Sequence, residues 1–77
     1  MSYGYSVRVI TLNKEADRNL VGVRLGRLCI KHDLSVSSVA SKLGVSRQTV
    51  YNWFTGHTNP TGKKLDLIQR FLNAITH

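Results

Sequence analysis

In the stretch "SRQTVYNWFT", residues 46–55, Arg47, Gln48, Tyr51 and Asn52 recur at the three- and four-residue spacings that put side chains on one face of a helix. Arg47 carries a planar fork of donors, and Gln48 and Asn52 each present a donor beside an acceptor. Such groups suit paired hydrogen bonds to the edges of nucleobases: arginine to guanine, glutamine or asparagine to adenine. A good pair of this kind gives about 1–3 kcal/mol of discrimination. Tyr51 would stack on or hydrogen-bond to the nucleic-acid backbone, or touch a thymine methyl. Catalytic chemistry has no comparable set. The four acids form no paired arrangement, and the histidines at 32, 57 and 77 have no metal-ligand spacing. Cys29 falls on an apolar helix face in "LGRLCI", where a thiol packs rather than reacts. No enzyme, cofactor or metal is expected.

The charge balance points the same way. Eleven Lys and Arg against four Asp and Glu give +7 in 77 residues, with a pI near 10.2, a balance that favours polyanions. Between Asp33 and Asp66 there is no acid, while Lys42, Arg47, Lys63 and Lys64 lie there. A field of one sign over the middle of the chain is a footprint for phosphate. A single cysteine and no signal-peptide pattern suggest a reducing, intracellular setting, the cytoplasm or nucleoid. Arg24 and Arg27 interrupt the only long apolar candidate for a membrane span.

The elements that must hold these residues can be read from caps and periodicity. "YGYSVRVITL" alternates in β-branched and aromatic residues and reads as a strand with Tyr3, Tyr5, Val7 and Val9 on one side. No partner strand follows it. The alternatives are a disordered arm and an antiparallel ribbon formed with a second chain. A helix is expected from a cap at Asn13 or Asp17 to about His32. Gly22 and Gly26, one turn apart, suggest a close backbone approach from within the same domain. Ser35 should cap a second helix, 36–43, stopped by Gly44. Ser46 should cap a third, from Arg47 to about Thr55, with Val50, Trp53 and Phe54 inward and Gly56 as its stop. From Thr61 or Gly62 a fourth presents Leu65, Ile68, Phe71, Leu72 and Ile75 as an apolar stripe.

Only Val45 separates the stop at Gly44 from the cap at Ser46, so the second and third helices must cross steeply, as in a helix-turn-helix. "VSSVASKLGVSRQTVYNWFT", residues 36–55, resembles the helix-turn-helix of the Cro and lambda-repressor (XRE-type) family, with Ala40 at the close helix contact and Gly44 at the turn. "VGVRLGRLCIKHDLS" resembles that family's first helix, and "GHTNPTGKKLDLIQRFL" its closing helix. The resemblance covers residues 21–72 and implies an all-α, four-helix domain; with the elements read above, that domain is expected over 13–77, with an added N-terminal β-strand or arm over 1–12. It implies double-stranded DNA as the partner and a phage or bacterial DNA-binding regulator, a repressor that binds a two-fold symmetric operator as a dimer with its third helix in the major groove.

Phosphate contacts are expected from Ser35, Ser37, Lys42, Ser46, Thr55, Thr58, Asn59, Lys63 and Lys64. Two departures from the family pattern matter. Val36 stands where the family commonly has a phosphate-contacting glutamine, so Ser35 or Ser37 would take that role. The chain also ends just after the fourth helix, which leaves dimerisation to the N-terminal strand, through Tyr3, Tyr5, Val7 and Val9, or to the exposed part of the fourth helix. A second function class is a protein-binding module, such as an antitoxin or a phage protein that captures a host factor through that strand.

Overall fold

A computed structural model describes residues 5–76. Five helices follow in order: α1 (Val7–Glu15), α2 (Val21–Lys31), α3 (Val36–Leu43), α4 (Arg47–Phe54) and α5 (Gly62–Thr76). The second to fifth were expected from the sequence, and α1 corrects the reading of this region as a strand or arm. Among the described residues there is no strand. Ser6 caps α1 by accepting a hydrogen bond from the Val9 amide at 3.2 Å. Val9 and Ile10 then lie against the core, and Asn13, one turn on, is buried. The β-branched residues each cost a helix only a few tenths of a kcal/mol, which burial of one face outweighs.

The proposed dimer strand is thereby lost. Tyr3 lies outside the described residues. Tyr5 is buried in the core, its ring stacked on Phe54 with centroids 6.2 Å apart and its hydroxyl donated to the Leu34 carbonyl. Burial, reinforced by Cys29, Tyr51 and Asp33, pushes its phenol well above the ordinary tyrosine range. Val9 is half-buried, and only Val7, 80% exposed, stands free.

The expected start of the next helix at Asn13 or Asp17 also moves. Asp17 caps a turn, accepting from the Asn19 amide at 2.9 Å, and α2 begins at Val21 without a side-chain cap. The core contains Leu25, Cys29, Val39, Leu43, Val50, Trp53, Phe54 and Ile68, drawn from α2 to α5. Cys29 is fully buried, and the loss of solvent pushes its thiol up to about 12. Gly22 and Gly26 do mark a close approach within the domain. A Cβ on Gly22 would lie 2.8 Å from the Trp53 carbonyl oxygen, and one on Gly26 would lie 2.8 Å from Phe54 Cγ. The glycines let α2 lie directly on the inner side of α4.

Candidate nucleic-acid interface

The corner between α3 and α4 is built from its caps. Ser35 accepts from the Ser38 amide at 3.1 Å and starts α3. Gly44, at φ 68° in the left-handed region, ends it, and the Val45 amide turns back to the Ala40 carbonyl at 3.0 Å. Ser46 then caps α4, accepting from the Thr49 amide at 3.2 Å while its hydroxyl meets that of Thr49 at 2.9 Å. Lys64 reaches from α5 into this corner and donates to the Leu43 carbonyl at 2.8 Å. One of its three N–H groups thus completes the end of α3, and two remain for other acceptors.

Once α4 is fixed there, its two faces separate. Val50, Trp53 and Phe54 are buried against the core, whereas Arg47 and Gln48 are exposed and Tyr51 and Asn52 half-buried. Gln48 Nε2 donates to Asn52 Oδ1 at 3.1 Å, one helical turn along. The loop after α4 folds back onto its end, with the amides of His57 and Thr58 on the Asn52 carbonyl at 2.9 and 3.2 Å. That brings exposed Thr58 and Asn59 beside the end of α4 that carries Asn52.

The other expected phosphate contacts occupy different settings. Ser37 and Lys63 are exposed. Lys42 is exposed, with its ammonium 5.7 Å from the Phe71 ring centroid. The Thr55 hydroxyl donates to the Tyr51 carbonyl at 2.9 Å, so it has only acceptor capacity left and suits a phosphate poorly. Thr49, which no spacing argument singled out, holds Ser46 in place.

Asn13, expected only as a helix cap, has a different role. Its buried amide donates to the Val23 carbonyl at 3.1 Å and to the Phe54 carbonyl, the last of α4, at 2.6 Å. The sequence signal available was a polar side chain on the same helical face as Val9 and Ile10. Among the described residues, no group of three or more His, Cys, Asp or Glu could hold a metal ion, and no helix is long and apolar enough to cross a membrane.

Comparison with known families matches residues 25–77 to the helix-turn-helix family model HTH_3. No curated protein and no solved structure gives a match. The match begins within α2 and takes in the whole α3–α4 corner and α5. The chain therefore belongs to the helix-turn-helix family of the Cro and lambda-repressor (XRE) type and is a DNA-binding regulator of that type.

Proposed function

We propose that the protein is a sequence-specific repressor that binds a two-fold symmetric operator as a dimer, with α4 in the major groove. The observation that carries this reading is the Gln48–Asn52 pair on the open face of α4. By giving one N–H to Asn52, Gln48 retains one N–H and its carbonyl oxygen side by side, the complement of adenine N7 and N6. Asn52 holds that amide in register, which lowers the ordering cost of contact.

Arg47, in the exposed first turn of α4, would read a guanine, and Tyr51 would line the groove wall. The unpaired amides at the start of α4, with Ser46, suit a phosphate, as do Ser35 and Ser37 at the start of α3. Lys42, Lys63, Lys64, Thr58 and Asn59 complete the positive and polar rim. A reader domain of this kind represses most simply by covering an operator. For the dimer, the large apolar side chains left in the open among the described residues are Val7 and Leu12 on α1 and Leu67 on α5.

The test is selection of binding sites from randomised duplexes by the wild type, Gln48→Ala, Asn52→Ala and the double variant, with the solution mass measured alongside. Each single change should lower affinity for the selected site by about 1–3 kcal/mol and relax one position per half-site. The double variant should lose less than the sum, because Asn52 acts partly through Gln48. Half-site centres should lie about 34 Å, one helical turn, or a multiple of it apart. Equal losses on selected and random DNA would remove these residues as base readers.

A further inference from the structure

A second basic surface lies on the other side of the domain. Arg18, Asn19, Arg24, Arg27 and Leu28 line a groove of about 530 Å³ along the outer side of α2. A second hollow of about 290 Å³ adjoins it, lined by Ile10, Asn13, Lys14, Arg27, Ile30 and Lys31. Arg27 is the ridge between them. Its Nη2 donates to the Lys14 carbonyl at 3.0 Å, which pins the side chain across the end of α1. Its Nε is buried without a hydrogen-bond partner.

Arg24 and Lys31 lie roughly half a turn round α2 from the line of Gly22 and Gly26. Those glycines lie against Trp53 and Phe54 of α4, so the basic surface points away from the face of α4 that carries Arg47 and Gln48. Residues 14–31 carry five bases (Lys14, Arg18, Arg24, Arg27, Lys31) against two acids (Glu15, Asp17), a local balance of +3. The floor is apolar, from half-buried Leu28, Ile10 and Ile30.

From this combination we infer that the outer face of α2 is a docking surface for an acidic amphipathic helix of a partner protein. Charge complementarity and the floor select that occupant together. Carboxylates spaced along one side of such a helix would meet exposed Arg18, Arg24, Lys14 and Lys31, and its apolar side chains would cover Leu28, Ile10 and Ile30. A duplex phosphate backbone would satisfy the charges but has nothing to place in the hollows. Because the surface faces away from α4, the domain can hold the partner and DNA at once. The inference does not depend on the assignment of base readers.

The test uses the full chain, isotope-labelled for amide NMR, and a synthetic peptide of about four helical turns with Glu along one face and Leu and Phe along the other. A scrambled peptide of the same composition, polyglutamate and a random duplex serve as competitors at about 0.15 M salt. The expected result is saturable shifts confined to residues 10–31, stronger for the amphipathic peptide than for its scramble, and retained in the presence of duplex. Arg18→Glu with Arg24→Glu should weaken binding about tenfold or more, while Arg47→Glu leaves it unchanged. All three arginines are exposed, so the fold is expected to survive, and the amide spectrum of each variant checks it. Equal binding of polyglutamate or the scramble would overturn the inference, as would shifts centred on α4 or displacement of the peptide by duplex.

Discussion

Replacing Asn13 by Ala should destabilise the domain out of proportion to the few atoms removed. Asn13 is 2% exposed, and its amide donates to two carbonyls, those of Val23 and Phe54. Val23 lies in the first turn of α2 and also has an intrahelical acceptor role, so its loss is the smaller. The Phe54 carbonyl closes α4, where helical carbonyls have no partner within the helix, so Asn13 is the donor that satisfies it. A buried acceptor left without a donor costs about 1–3 kcal/mol, and the weaker second bond adds about 0.5–1 kcal/mol. The sum, about 1.5–4 kcal/mol, is a large part of the roughly 4–12 kcal/mol expected for a domain of this size. Urea unfolding followed by fluorescence of Trp53, the only tryptophan, would measure it as a lower midpoint at unchanged slope. Asn13→Asp should be worse near neutral pH, because a carboxylate there donates nothing and is buried facing two carbonyl oxygens. A loss under about 0.5 kcal/mol for the Ala variant, within the range of ordinary surface substitutions, would refute the bracket.

Gly22→Ala should cost about 1–3 kcal/mol, since its Cβ would press on the Trp53 carbonyl oxygen at 2.8 Å, a backbone atom that cannot swing aside; thermal unfolding checks it. Lys64→Met should lose about 0.5–1.5 kcal/mol of stability through the Leu43 carbonyl, whereas exposed Lys63→Met should lose almost none. On DNA, the Lys63 change should lower the salt slope by roughly 1, read from binding isotherms at several salt concentrations. Stability should fall as pH rises above about 9. The unfolded chain releases the Cys29 proton near 9.0 and the Tyr5 proton near 10.0, while the fold holds both more tightly. The unfolded state then binds fewer protons, and each group contributes a slope of at most about −1.4 kcal/mol per pH unit. Cys29→Ala should flatten the fall between pH 9.0 and 10.0, measured by urea unfolding across that range.

The α3–α4 corner was legible in the sequence because its determinants are local. Ser35, Gly44 and Ser46 act on amides and dihedral angles within a few residues of themselves, so their order fixes where each helix starts and stops. The apolar stripes of α2 and α5 were legible for a related reason: a helix converts sequence spacing directly into a face. From those two facts the exposed pair Arg47 and Gln48 follows, since Val50, Trp53 and Phe54 take the inner side of the same short helix; Tyr51 and Asn52, expected beside them, are half-buried, with Tyr51 packed against the core.

Tertiary structure decided what depends on distant partners. Alternation in "SVRVITL" is compatible with a strand, and β-branched residues favour one only weakly. The helix wins because Tyr5 stacks on Phe54, and Asn13 reaches Val23 and Phe54, contacts spanning up to 49 positions that no local pattern encodes. The same holds for Lys64, which the sequence offered only as a phosphate contact and which also closes α3 from 21 residues away. Caps and periodicity act through the nearest turn of backbone, so sequence alone determined the α3–α4 corner and the buried side of α4. Burial of a single polar or aromatic side chain depends on what the rest of the chain brings to it, and only the packed structure decided that.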